Sequence, residues 1–343
     1  LFTILLIFAS QAAQAQITFD QILEDFENQK VPIQLRNNDV WVVDSIYCFS
    51  HDSNSGITSP ATREYNLVMT EDGEVTERLR QRWDTTLNDW VNDLYVTLSM
   101  DDDGNVVEIL EEIWDNSDWQ NIKRTVQTPN DSGQFTEILV QNRNVSNNDW
   151  RNENLTEFVY DGNGDNSALR YKTWDTISNV WVNNFQIFNA FDNGRLAADL
   201  FQLWNSDENQ FEDANRSFHS YDSNGNKLKI NSEIWNQWTM TPDWQKSSQQ
   251  TFTYNSENQQ IEKLTELWNN VDSFWLKNEL IFDTYTPEGF NDSTRTQFWT
   301  DTVWTNIFLT ARKFDEVGNM TQFEIFLFQN GGWNLLTICD FHW

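Results

Sequence analysis

Tryptophan is the residue type whose number and spacing in this chain could do chemistry. Eighteen Trp and 24 Phe are present in 343 residues. Trp83, Trp114, Trp174, Trp204, Trp235, Trp268 and Trp299 each stand ten residues after a turn-like Gly or Asn. Aromatic faces in a line stack on sugar rings, so these seven are the candidate binding residues for a polysaccharide. The competing reading is that Trp at both ends of every hairpin packs on the next hairpin. Recurrence in nearly every unit favours packing, because binding sites usually occupy only some repeats.

Other reactive types are sparse or uniformly spread. Asp101, Asp103 and Asn105 with Glu112, and Asp222, Asn224 and Asn226 with Glu233, look like calcium-loop spacings. A calcium loop needs Gly at its sixth place and a helix carrying the last Glu. Val106 and Lys227 occupy that place here, and the two Glu also fit a repeating row. A weak ion held across stacked Asp-rich turns is the better alternative, and no metal ligand set is assigned. His51, His219 and His342 stand outside any Ser-His-Asp, H-E-x-x-H or Cys/His pattern. Carboxylate pairs such as Glu111-Glu112 abound, yet a glycosidase needs two specific ones across a cleft. No catalytic residue, enzyme activity or cofactor is expected.

The elements that position the Trp residues follow from self-similarity. The marks Gly73, Gly104, Gly133, Gly164, Gly194, Gly225, Asn258, Gly289 and Gly318 recur about every 31 residues. Arg143 and Phe328 take the Trp place after Gly133 and Gly318. Fourteen residues before the marks stand Trp90, Trp119, Trp150, Phe211, Trp244, Trp275 and Trp304. Trp181 is one residue out of step, and Trp333 opens a last half-unit. Length varies nearly everywhere between the two aromatics and almost nowhere else. Loops tolerate such changes and paired strands do not, since one inserted residue flips every later side chain.

Each unit is therefore an antiparallel hairpin with a rigid turn at the Gly and a variable turn between the aromatics. Aromatic-Asp pairs precede the Gly, as in Tyr160-Asp161, Tyr221-Asp222 and Phe314-Asp315, and supply tight-turn chemistry. Nine places after the mark lies an apolar row: Ile113, Leu203, Ile234, Leu267, Phe298 and Leu327. Eight places after it lies a polar row, which includes Gln81, Glu112, Gln141, Lys172, Gln202 and Gln297 and shares its face with the Trp row. The expected fold class is all-β: tandem hairpins forming one long twisted or spiralling meander of about 17 or 18 strands.

Charge and termini bound the setting. A net charge of −31 disfavours nucleic acid and anionic membrane surfaces as partners. Residues 1–15 (LFTILLIFASQAAQA) read as a partial secretory signal peptide with an A-x-A site. Residues 16–40 read as a leader with a short helix over Phe19 to Gln29, and 41–343 as the repeat array. No stretch is a transmembrane helix. Two cysteines, Cys48 and Cys339, cannot pair across an open array; they can only if the sheet closes on itself.

The segment Tyr221 to Asn226, Tyr-Asp-x-x-Gly-Asn, resembles the YD repeat of bacterial shell-forming and surface proteins, whose hairpins wind into one spiralling sheet. The longer pattern W-x-N-x(7)-[YF]-D-x-x-G-x(9)-W, as from Trp150 to Trp174, is similar to Trp-rich repeat proteins exported by gliding-type bacteria through a C-terminal sorting domain. The resemblance covers residues 59 to 343. The unit is longer than a typical YD unit, and no sorting domain follows Trp343, so a chain truncated at both ends is expected. Together these readings imply a non-enzymatic secreted or cell-surface repeat protein with a structural or adhesive role. Its partners would be extracellular polysaccharide or cell-surface components. The alternatives are a polysaccharide-binding surface made of Trp rows, and an outer-membrane β-barrel.

Overall fold

In a computed structural model, one antiparallel sheet of 20 strands runs from β1 (Ser45–Asp52) to β20 (Gly332–His342). The structure describes residues 43, 45–52, 57–69, 75–115, 117–144, 149–236, 241–300 and 302–343. The signal-peptide and leader readings and the mark Gly73 lie outside the described residues. Each strand pairs with its sequence neighbours, and β1 also pairs with β20, so the sheet closes into a barrel. Two expectations change here. The sheet closes and does not spiral, and it has 20 strands. The surplus is explained by β1 and β2 (Ile57–Met69), which form a hairpin that carries none of the Trp marks.

The Gly turns obey one design. Asp101 N–H donates to Asn105 O at 3.0 Å and Gly104 N–H to Asp101 O at 3.1 Å, with Gly104 at φ +83°. This three-residue loop is a type I turn followed by a left-handed residue. The Asp222–Asn226 and Asp315–Asn319 turns repeat both bonds. Asn258 adopts φ +63° and fills the Gly place in its own unit. At Asn193-Gly194 both residues have positive φ, giving a two-residue loop between the paired Asp192 and Arg195. That loop is one residue shorter, which is why Trp181 is out of step.

Tyrosines tie each turn to the one before. The hydroxyls of Tyr160, Tyr221, Tyr254 and Tyr285 donate to the backbone carbonyls of Phe135, Leu196, Lys227 and Gln260, at 2.7 to 2.9 Å. Each acceptor lies two residues after the previous mark. Trp343 Nε1 makes the same bond to Met320 O at 2.9 Å. Phe314, without a hydroxyl, stacks on Phe290 with centroids 5.0 Å apart.

Curvature has a repeated source too. Every Trp hairpin carries a bulge three residues after its second aromatic, at Asp93, Ile122, Glu153, Asn184, Ala214, Ser247, Asn278, Ile307 and Leu336. A bulge bends its strand and increases local twist, which a closing sheet requires. The apolar core lies at the seam, where Val43, Ile46, Cys48, Met320, Phe323, Ile325, Cys339 and Phe341 are buried together. Cys48 and Cys339 are register partners there and form a disulfide.

Replacing both cysteines with serine should loosen this seam. The expected outcome is a loss of about 3–5 kcal/mol of stability in urea unfolding. Amide exchange should accelerate first in β1 and β20, and later in the rest of the sheet.

Candidate functional site

Because the chain is a closed meander, the described variable loops lie at one rim and the described Gly turns at the other. Side chains alternate between two faces, and register partners share a face. At the variable-loop rim the two aromatics of each hairpin are register partners, as in Trp83↔Trp90 and Trp235↔Trp244. They meet edge-to-face with centroids 5.3 Å apart in both pairs. Trp114–Trp119, Trp174–Trp181, Trp204–Phe211, Trp268–Trp275, Trp299–Trp304 and Phe328–Trp333 repeat this geometry. The preference follows from the ring quadrupole, with the positive edge of one ring on the negative face of the other.

All seven candidate Trp residues are half-buried, neither sealed in a core nor presented as a bare row. Cations from the adjoining hairpin cover several members of the rim. Arg63 lies 4.6 Å from the Trp90 centroid, Arg216 4.4 Å from Trp244, Lys246 4.4 Å from Trp268 and Lys277 4.7 Å from Trp299. Tyr95 packs on Trp119 at 5.5 Å. Trp150 carries both Arg124 and Arg143, the latter standing where a Trp is expected. Periodicity does not reveal these cation contacts, because most of the partners lie in different hairpins.

The polar row forms a belt just below the Trp rim, on the same face. Arg63 donates to Gln81, and Gln81 to Asn92. Arg124 donates to Gln141, and Gln141 to Asn152. Gln186, Gln202 and Asp213 continue the pattern, as do Gln297 and Asn306. Tyr95 donates to Glu77, and that hydrogen bond, with desolvation and the Glu77 and Glu112 charges, pushes its phenol up to about 12. Such chains of side-chain bonds hold the rim in register.

The Asp-rich turns have a structural use for their carboxylates. Asp101 Oδ1 accepts from the backbone N–H groups of Asp103 and Asn105 and from the Asn105 side chain. The Asn105 side-chain bond, followed by the backbone bonds, holds its carboxyl below the usual range. For Asp222 desolvation works the other way, but the bonds from Asn226, Asn224 and Gly225 outweigh it and the carboxyl is again lowered. Glu112 and Glu233 sit in the polar belt, paired in register with Tyr95 and Arg216, and not at these turns. Among the described residues no cluster of three or more His, Cys, Asp or Glu is placed to hold a metal. His219 Nε2 contacts Asp199 at 2.8 Å, and His51 Nδ1 contacts Thr58 at 2.8 Å.

No family model matches this sequence, and no curated protein matches it. Among solved structures, a protein of unknown function from Bacteroides fragilis is similar over 40% of this chain and 94% of its own, at 15% identity and TM-score 0.33. A porin-like protein from Bacteroides vulgatus is similar over 69% of this chain and 97% of its own, at 10% identity and TM-score 0.35. The Photorhabdus luminescens Tc holotoxin pore is similar over 81% of this chain but 16% of its own, at 9% identity and TM-score 0.39. At scores this low the similarities carry no function to the chain.

Two outcomes follow from the rim and the turns. Trp235→Ala removes one ring of an edge-to-face pair and should cost about 1–3 kcal/mol, with loss of its share of the Trp exciton signal in circular dichroism. Asp101 and Asp222 have lowered folded-state pKa values, so their contribution is complete above the unfolded value of about 3.9 and fades as pH falls through the lower folded values. Asn130 and Asn255 make the same turn bonds without a charge. Asp101→Asn with Asp222→Asn should therefore keep the fold at neutral pH and abolish the acid titration of the Asn105 and Asn226 amide signals.

Proposed function

We propose that this protein is an exported, water-exposed β-barrel of the cell surface, with a structural or adhesive role and no enzymatic activity. The observation that carries the reading is the placement of ion pairs midway along the strands on both faces. On the Trp face, Arg216 pairs with Glu233 at 2.6 Å and Lys172 with Glu157 at 2.7 Å. On the opposite face, Lys123 pairs with Glu111 at 2.8 Å, Arg80 with Asp93 at 2.9 Å and Lys263 with Glu279 at 3.6 Å. Register fixes these assignments, since Lys123↔Glu111 and Arg216↔Glu233 are cross-strand partners. A membrane barrel needs one face with an apolar band, and Arg or Lys at its midplane costs about 2–4 kcal/mol each. Whichever face pointed to lipid, charges would stand in that band.

The disulfide supports an oxidising compartment, in keeping with export. The rim and belt repeat one pattern around the ring, which suits a scaffold that presents a surface and not a cleft where reacting groups converge. Extracellular polysaccharide and cell-surface components are the partners this reading implies. A closed 20-strand barrel is also compatible with an outer-membrane protein. Strands of 10 to 13 residues are long enough to cross a bilayer. Four of the six members of the apolar row are exposed, with Leu203 at 50% and Leu267 at 44%. The mid-strand charges weigh against lipid on that row.

Expression of the whole chain with an export signal separates the two readings. The expected result is a monodisperse protein released into buffer without detergent. Retention in the membrane fraction after high-salt and urea washes, with extraction only by detergent, would overturn the proposal in favour of the membrane barrel.

A further inference from the structure

The rim is covered unevenly. Among the described residues, Trp174–Trp181 is the Trp–Trp pair to which no ring or cation from a neighbouring hairpin is applied; its ring contact is the internal one, at 5.0 Å. The cause is two short side chains on β8 (Asp149–Tyr160). Asn152 stands two residues after its Trp, where Lys246 and Lys277 reach over Trp268 and Trp299. Leu155 stands five residues after it, where Tyr95 and Arg216 reach over Trp119 and Trp244. Neither Asn nor Leu brings a cation or ring to the next pair.

A cleft of about 250 Å³ opens at that place. It lies between the hairpin of β7 (Phe135–Asn144) with β8 and the hairpin of β9 (Asn166–Asp175) with β10 (Val180–Asp192). Trp150 and Trp174 supply its aromatic lining, and Asn152, Asn179, Asp149 and Arg151 its polar lining. Asn152 Oδ1 is engaged by Gln141 Nε2 at 2.7 Å, which leaves the amide NH2 to donate. Asp149 and Arg151 flank Trp150 on β8 and so alternate to the other face of the sheet; Asp149 Oδ1 accepts from the Trp150 N–H at 3.1 Å. Asn179 is held at φ +54° in the loop, its N–H bonded to Asp175 O. The cleft thus joins an aromatic face to the amide groups of Asn152 and Asn179. Sugar hydroxyls, which both donate and accept, match that set. The volume is below the roughly 300–1,000 Å³ of drug-sized pockets and suits a single sugar ring.

We propose that this cleft binds one pyranose ring of a neutral polysaccharide, stacked on Trp174 and hydrogen-bonded by Asn152 and Asn179. Neutrality follows from charge: Trp150, Asn152, Trp174 and Asn179 carry none, and a chain at −31 repels polyanions at a distance. The inference rests on the surface-protein reading and narrows it from a row of seven Trp residues to Trp174.

The test is native affinity electrophoresis of the whole chain through gels holding dextran, glucomannan, galactomannan or xylan, with polygalacturonate as the charged arm. The expected result is retardation by at least one neutral glycan, weakened about tenfold or more in Trp174→Ala and unchanged in Trp83→Ala. Asn152→Lys copies Lys246 and Lys277, brings an ammonium to Trp174, and should abolish retardation while the melting temperature stays within a few degrees of wild type. The proposal is overturned by retardation in polygalacturonate alone, by no retardation in any neutral glycan, by full binding in a folded Asn152→Lys protein, or by equal loss in Trp83→Ala. A detergent-free soluble protein that fails here leaves the surface reading intact and removes this site alone.

Discussion

Six register pairs and one disulfide join β1 to β20, and this seam removes the two edges that a sheet of 20 strands would otherwise expose. An unpaired edge is a template for aggregation, and closure is the device that abolishes it. The seam is also where buried apolar side chains gather, from Ile46 and Cys48 to Phe323, Ile325 and Phe341. Around the rest of the ring most side chains are half-buried, so local stability comes from cross-strand pairs and hydrogen-bonded rows. The two ends of the chain, nearly 300 residues apart at the disulfide, hold the ring shut.

Closure works only if every hairpin bends by a similar amount, and the repeat supplies this with three devices at fixed places. The Asx-Gly turn sets the exit geometry at one rim. The Trp pair sets the distance between strands at the other, whatever the loop length between its members. The bulge after the second aromatic adds curvature in every unit. The Tyr hydroxyl bond to the preceding turn then couples neighbouring hairpins along the Gly rim, and Trp343 completes that series at the last unit. Cations laid on Trp rings couple them along the opposite rim. A repeat that omits one coupling, as at Asn152 and Leu155, leaves space without breaking the ring.

Hairpins, their turns and their register were legible in the sequence because they depend on local chemistry. Gly, Asn and Asp at fixed intervals specify the turn, and a constant ten-residue offset specifies which residues share a face. Even the slip at Trp181 had a local cause, the shorter Asn193-Gly194 loop. Closure was not legible, because it depends on curvature summed over all units, and the bulged residues share no chemistry: Asp93, Ile122, Ala214 and Leu336 occupy the same place. The cysteines carried the conditional signal, since they can pair in a ring and not in an open array. At the candidate site the sequence pointed to all seven Trp residues alike. What distinguishes Trp174 is the length of side chains in the preceding hairpin, a property of neighbours in space that periodicity does not show.

Closure is tested most directly by a distance across the seam, with the disulfide left intact. Fluorophores introduced through unnatural amino acids at Ser59 on β2 and Lys313 on β18 (Val303–Phe314) sit on exposed positions. Counting through β1 and β20, four strand spacings separate them, or about 20 Å at roughly 4.8 Å per strand. An open or extended meander would place them 16 spacings apart, about 75 Å. Energy transfer near its maximum is the predicted result; transfer close to zero would contradict the closed barrel.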